Sequence, residues 1–231
     1  MQKSFIALAS LLLCSLGAQA AASLGNNLIA NGNAEAGSAS GWTAFEGTDL
    51  FQAVKYGNNW VKPNEPGPLN RGSYLFAGQS SPFSAGFQLL DIGNLAAQVG
   101  TGKLSFDLSG YLGGWTNQGD NAQLYVSFMD AAKTEIGSAT LGPVTPADRG
   151  NQTGLLFREV SGYVPTGTTQ IQLSLSMERL NSSDNDGYAD NLAFVLHAAA
   201  VPEPQSYALM ALGLGALGLV ARRRKQLQQQ G

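Results

Sequence analysis

Ile171-Gln172-Leu173-Ser174-Leu175-Ser176-Met177-Glu178 places an apolar side chain at every second position and a polar one between. A period of two buries one face of an extended strand and leaves the other to water, and a helix repeats every 3.6 residues instead. The same alternation stands upstream. Leu104, Phe106 and Leu108 alternate with Ser105, Asp107 and Ser109, and Leu124, Val126 and Phe128 alternate with Tyr125, Ser127 and Met129. Shorter strands are expected at 51–54, 73–76, 86–90, 155–160 and 191–196.

Gly, Asn, Asp and Pro fill the gaps, as in Gly113-Gly114, Asn117 to Asp120 and Gly142-Pro143. Only Leu95 to Gln98 reads as a helical turn, and there is no internal repeat. Eight or nine short strands across about 170 residues predict an all-β domain, two packed antiparallel sheets forming a β-sandwich of the jelly-roll kind.

The ends of the chain read differently. Residues 1–20 have the layout of a secretory signal peptide, with Lys3, an apolar run from Phe5 to Leu16 and the small-x-small site Ala18-Gln19-Ala20. Cleavage is expected after Ala20, with Ala22 as the alternative. That path implies a Sec translocon and a signal peptidase as partners. Cys14, the one cysteine, lies in the apolar run after Leu13, without the small residue that lipidation would need. The mature domain, residues 21–197, is then free of disulfides, thiolate chemistry and Cys-ligated zinc.

At the other end, Val201-Pro202-Glu203-Pro204 closes a linker of residues 198–206. An uncharged helix is expected over 207–221, and a basic tail, 222–231, opens with Arg222-Arg223-Arg224-Lys225. Prolines fix where the helix can begin, and the cations favour the cytoplasmic side. Fifteen residues span only about 22 Å at helical rise, short of a hydrocarbon layer of about 30 Å. The arrangement resembles the PEP-CTERM tail of Gram-negative bacteria, with Pro202, Glu203, Pro204 and Arg222 to Arg224 as its sorting residues. The resemblance implies transient insertion in the inner membrane, processing by an exosortase, and a final place at the cell surface or in the extracellular matrix. An ordinary C-terminal anchor is the alternative.

The chain's net charge of −3 hides an asymmetry. Between Ala21 and Val201 eight Lys and Arg face fifteen Asp and Glu, a net of −7. Such a domain does not attract nucleic acid or anionic lipid, and it is compatible with divalent cations and neutral glycans.

The domain opens with Asn27-Leu28-Ile29-Ala30-Asn31-Gly32-Asn33-Ala34-Glu35 and Gly41-Trp42, and it closes with Tyr188-Ala189-Asp190-Asn191-Leu192. This pairing is similar to galactose-binding-like jelly rolls, several families of carbohydrate-binding module among them. The resemblance implies a structural Ca2+ held by Glu35 and Asp190 with backbone carbonyls, an oxygen set that suits the ion. The alternative is a turn cap at Glu35 and a hydrogen-bonded Asp190. The acidic stretch Asp184 to Gly187 lacks the remaining ligands of a calcium loop and reads as a solvated turn.

Sugar binding needs exposed rings beside amides and carboxylates. Trp115, in the Gly-rich stretch Tyr111 to Asn121, and Trp42 are the candidate rings, each with the alternative of sealing the core. Arg149 is a further candidate, through bidentate contact with a carboxylate or sugar hydroxyl, or else paired with Asp148 or another acid. No catalytic residue is expected: the one histidine, His197, follows the last strand, and no Gly-x-Ser-x-Gly elbow is present. Two functions follow: a calcium-stabilised binder of extracellular polysaccharide, or a non-catalytic structural or adhesion unit of a biofilm matrix.

Overall fold

A computed structural model describes residues 21–57, 59–198 and 212. The chain divides into two compact units, Met1–Ala198 and Ala199–Gly231, and all described residues but Leu212 lie in the first. The expected signal peptide, sorting helix and basic tail fall outside the described residues. Among the described residues no helix is long and apolar enough to cross a membrane.

Among its described residues the first unit has ten strands: β1 (Thr43–Ala44), β2 (Gln52–Lys55), β3 (Tyr74–Gln79), β4 (Phe83–Asp91), β5 (Ser105–Gly114), β6 (Asn121–Met129), β7 (Glu135–Leu141), β8 (Gly154–Tyr163), β9 (Gln170–Glu178) and β10 (Asn185–His197). They form two five-stranded antiparallel sheets. Sheet I has the order β1-β4-β9-β6-β7 and sheet II the order β2-β3-β10-β5-β8. The β-sandwich read from the alternation is therefore the fold. The single expected helical turn is a 3-10 turn, Gly93–Leu95, running into the short helix α1, Ala96–Gly100.

The apolar halves of the alternating strands meet between the sheets. Ile171, Leu173, Leu175 and Met177 of β9 and Leu124, Val126 and Phe128 of β6 face Phe106, Leu108, Leu112, Phe194 and Leu196 of sheet II. Phe106 lies 5.2 Å from Phe128 and 5.6 Å from Phe194, so three rings from both sheets tie the middle together. Full burial of each such side chain is worth about 1.5–3 kcal/mol, which holds a cysteine-free sandwich without crosslinks.

Two strands escaped the sequence reading. β1 is two residues long, and β7, Glu-Ile-Gly-Ser-Ala-Thr-Leu, is a mostly exposed edge strand with Gly137 in its middle. Neither carries an apolar stripe. β5 also runs through Gly113-Gly114, which sequence alone reads as a break. A side chain on Gly113 would run into the Gly154 carbonyl, so glycine there lets β8 approach.

Candidate functional site

The opening motif knits the N-terminal loop to β10. Asn27 donates to the Leu192 carbonyl (3.0 Å), and its amide oxygen accepts from the N–H groups of Ile29 and Phe194 (both 3.0 Å). Asn31 donates to the carbonyls of Ser38 and Ser40 and accepts from the Ala36 N–H. A Cβ on Gly32 would collide with the Leu192 carbonyl, whose own N–H donates to Gly32 O at 2.9 Å. The motif's amides are therefore spent on the backbone. A cavity of ≈ 360 Å³ lies beside them, between Asn27, Asn31, Asn33 and Asn191.

Glu35 and Asp190 lie in one neighbourhood. Glu35 Oε1 accepts from the N–H groups of Ser73 and Tyr74, both at 2.8 Å. Asp190 is completely buried. Its Oδ2 accepts from the Tyr56 hydroxyl (2.6 Å) and its Oδ1 from the Asn191 N–H (2.7 Å). Burial pushes the Asp190 carboxyl up to about 7. The two hydrogen bonds and the Arg71 charge oppose that rise, and the Glu35 charge adds to it. Burial and then Asp190 itself raise the Tyr56 hydroxyl. Arg71 sits over the Tyr56 ring at 5.1 Å and spends its guanidinium on the carbonyls of Lys62, Glu65 and Pro68.

Among the described residues the contacts between a carboxylate and a basic side chain are Arg158–Asp148 and His197–Asp107, so Asp190 has no cationic side chain in contact. A buried carboxylate without a cation is costly unless it is protonated or coordinates a metal. No group of three or more His, Cys, Asp or Glu converges among the described residues. A cation here would draw on two carboxylates and on carbonyls. The donor chemistry fits Ca2+, which accepts hard oxygens of both kinds.

Trp115 directly follows β5 and is half-buried. It packs with Tyr56, Trp60 and Tyr111 against Val54, Val61, Leu75, Ala77, Leu155 and Tyr188, an apolar cluster on the outer face of sheet II. Arg149 differs from its expected role as a ligand contact. It is 6% exposed, and its guanidinium donates to the carbonyls of Thr116 (2.7 Å), Gln152 (2.7 Å) and Gln118 (3.0 Å). Burial lowers its pKa, and the charges of Tyr188, Asp120, Asp148 and Asp186 oppose that shift. Arg149 is thus a clamp holding the Trp115 loop from behind. Its sequence neighbour Asp148 pairs with Arg158 at 3.6 Å.

Trp42 is a second correction. It is 6% exposed and meets Phe51 (5.3 Å) and Phe76 (6.2 Å) edge to face in the core, so its ring is not available to a ligand. The acidic stretch also departs from a solvated turn. Asp184 is exposed, but Asn185 and Asp186 are buried at the start of β10. There Asn185 donates to the carbonyls of Ser81 and Met177, and Asp186 accepts from the Tyr188 hydroxyl at 2.6 Å.

The outer face of sheet I was not singled out from sequence. Register places Phe87 of β4 and Tyr125 of β6 on either side of Ser174 of β9. The row is completed by Thr43 of β1 and Thr140 of β7. Adjacent rows read Ala85–Ser176–Gln123 and Leu89–Gln172–Ser127. The rings of Phe87 and Tyr125 thus rise about 10 Å apart, two strand spacings, over small side chains. Phe45 backs Phe87 at 4.8 Å. Glu135 fixes the other wall, accepting from the hydroxyls of Tyr125 (2.8 Å) and Ser127 (2.6 Å). These three rows carry no charge. The signal was in the polar halves of the very alternation that revealed the strands: Gln, Ser and Tyr, where solvated strands usually carry Lys, Glu and Thr.

His197 lies across from Ser105 on sheet II, its Nε2 2.9 Å from Asp107, and both side chains of the pair are open to water. Asp186 and Asp190 share one strand, about 13 Å apart by strand rise, beyond the separation of a glycosidase carboxylate pair.

Three comparisons bear on this geometry. The PEP-CTERM protein-sorting motif matches residues 200–225. No curated protein matches the chain. Among solved structures, the enzymatically active domain of tailspike protein 4 of bacteriophage CBA120 aligns with a TM-score of 0.50 at 19% identity, over 74% of this chain and 21% of the tailspike chain. The present chain therefore spans about a fifth of that protein. A family 16 carbohydrate-binding module aligns at 0.49 and 19%, over 73% and 99% of the two chains. A family 61 module solved with β-1,4-galactotriose aligns at 0.45 and 16%, over 75% and 99%. At these identities the likeness is one of fold.

Proposed function

We infer that the chain, which carries a PEP-CTERM protein-sorting motif at residues 200–225, is exported and held transiently in a membrane until an exosortase processes it. We propose that its sandwich is a non-catalytic module that binds a neutral extracellular polysaccharide on the outer face of sheet I. The observation that carries this reading is the row Thr43–Phe87–Ser174–Tyr125–Thr140, two rings flanking a serine in a row without charge. Aromatic rings stack on the apolar face of a pyranose, and the amides of Gln123 and Gln172 with the hydroxyls of Ser174 and Ser176 suit its hydroxyl groups. Carbohydrate-binding modules among the fold's neighbours support the reading.

The same proposal includes a Ca2+ held by Glu35 and Asp190, supported by the buried carboxylate that has no cationic side chain within ion-pair distance. The ion would lock the opening loop to β10 and take no part in chemistry. Export would use the Sec translocon and a signal peptidase, and delivery would end at the surface or in the matrix of a Gram-negative cell.

Affinity electrophoresis of the full chain through gels containing neutral polysaccharides tests the binding face. Retardation by at least one polysaccharide is expected, abolished in Phe87→Ala and Tyr125→Ala. Retardation that survives both substitutions would move the site elsewhere, and none with any polysaccharide would leave the domain as a structural unit.

A further inference from the structure

Among the described residues β8 is the longest strand at the edge of either sheet, and from Phe157 to Tyr163 no strand among them pairs with its outer side. β1 has two residues and β2 four, while Gly137 in β7 lies against Pro165. β8 has ten, with neither Lys nor Pro to discourage another strand. The N–H of its second residue, Leu155, donates out of the sheet to the Pro66 carbonyl at 2.9 Å. Backbone groups on a strand alternate sides, so Phe157, Glu159, Ser161 and Tyr163 also aim theirs away from β5. The Phe157 carbonyl does so visibly, accepting from the Arg158 guanidinium at 3.1 Å. Two of these residues expose rings on the outer face: Phe157 is 47% and Tyr163 69% exposed.

We propose that a second copy of this chain adds antiparallel to β8 about a two-fold axis through Val160. An axis normal to the sheet keeps outward residues opposite outward residues, so only a few registers are open. Centring on Arg158 sets Arg158 against itself, and centring on Glu159 sets two carboxylates face to face. Centring on Ser161 leaves Phe157 without a partner. Centring on Val160 sets Phe157 opposite Tyr163 of the second copy and Glu159 opposite Ser161 of the second copy. Phe157, Glu159, Ser161 and Tyr163 then exchange both their backbone hydrogen bonds with the second copy. The cross-strand aromatic pair forms twice, extending the Tyr111–Phe157 contact, whose centroids are 5.4 Å apart. Arg158 keeps Asp148, and the two Glu159 side chains stand diagonally across the axis, about 7–8 Å apart, rather than face to face.

The result is one continuous sheet made of both copies of sheet II, with the two sheet I faces turned the same way. On the polysaccharide reading above, such a dimer would grip one glycan chain twice, and avidity would rise without new contacts. The dimer itself does not depend on that reading.

The test uses the full chain in a Cys14→Ser background. Val160→Cys places two thiols opposite each other in a non-hydrogen-bonded pair, where Cα atoms lie about 4.5 Å apart, within disulfide reach. Mild oxidation is expected to give a disulfide-linked dimer from Val160→Cys and none from Ser161→Cys, which this register offsets from its own copy. In sedimentation, Ser161→Pro removes an edge N–H that the native sheet does not use. It is expected to raise the dimer's Kd at least about tenfold and to leave unchanged the melting temperature read below that Kd, where only monomer is present. A chain that is monomeric at every concentration and unlinked through Val160→Cys would overturn the proposal, and so would a dimer indifferent to Ser161→Pro. Loss of glycan retardation with the dimer intact would instead count against the sheet I site alone.

Discussion

The two outer faces of the sandwich use polar residues in opposite ways. On sheet II, Asp186, Asp190, Tyr56 and Tyr188 are drawn under the segment from Tyr56 to Arg71 and satisfied from within. On sheet I, Gln123, Gln172, Ser174 and Ser176 stay half-open between two rings. The first face is charged and closed, and its chemistry is structural. The second is open, with an uncharged middle walled by Glu135, and its chemistry is left for a partner. Charge alone therefore misleads in this protein: the residues that look most reactive in the sequence are those the fold consumes.

The sharpest break of that contrast is at Arg149. Arg149→Ala removes a buried cation from among Asp120 and Asp186 and strands the carbonyls of Thr116, Gln118 and Gln152. A loss of about 3–5 kcal/mol in unfolding free energy is expected, read by chemical denaturation. Glycan affinity of the fraction that stays folded should be unchanged. If affinity fell while stability held, Arg149 would be a ligand residue after all.

Next in size is the Asp190 neighbourhood. Calcium at about a hundred times its Kd would add about 2.7 kcal/mol, a rise of roughly 5–10 °C in melting temperature for a domain of this length. EDTA, Glu35→Ala or Asp190→Ala should abolish it. The pH dependence separates metal from proton. The folded carboxyl is raised to about 7 from an ordinary value of 3.8, so the folded state binds the proton more tightly than the unfolded chain. In EDTA, stability should therefore fall as pH rises from about 4 to 7 and level off above that. Calcium needs the ionised form, so its increment should grow over the same interval. Asp190→Asn should flatten both curves. A calcium increment that is the same at pH 5 and pH 8 would place the ion elsewhere.

How much of this was legible follows the same division. The sandwich was readable because β5, β6 and β9 each bury one full alternating face, and the period of two survives in any sequence that does so. β1 and β7 were not, since an edge strand with little burial leaves no periodic mark. Glu35 and Asp190 were reached through motifs at the two ends of the domain, and the structure puts them in one neighbourhood. Trp42 and Arg149 went astray for one reason: residue type advertises what a side chain can do, and only burial shows whether it is free to do it. The row through Ser174 was hidden for the converse reason, because its members look ordinary until register aligns β4, β9 and β6.

On the open face, Phe87→Ala and Tyr125→Ala should each cost about 1.5–3 kcal/mol in glycan binding, a loss of roughly ten- to a hundredfold in affinity. Both rings lie outside the core cluster, so melting temperature should move little. Trp115→Ala is the mirror experiment. It opens the apolar cluster on sheet II, so it should lower stability by about 1–3 kcal/mol and leave affinity intact. Affinity loss in Trp115→Ala with none in Phe87→Ala would reverse the assignment of the two faces.

The smallest effect asks the finest question, whether hydroxyls on β9 touch the ligand or only line the floor. Ser176 lies between Ala85 and Gln123, and Ser174 lies between the two rings. If a pyranose stacks between Phe87 and Tyr125, its hydroxyls reach toward Ser176 and Gln123 rather than toward Ser174, which sits under the ring. Ser176→Ala should then cost about 0.5–1.5 kcal/mol in binding, the net worth of one neutral hydrogen bond. Ser174→Ala should cost less, and Ser174→Leu should block stacking by filling the floor. Titration calorimetry resolves the difference if all three variants are measured against one polysaccharide. Equal, negligible effects would mean that the sugar lies along the rings and above the strand, with the amides of Gln123 and Gln172 as its polar contacts.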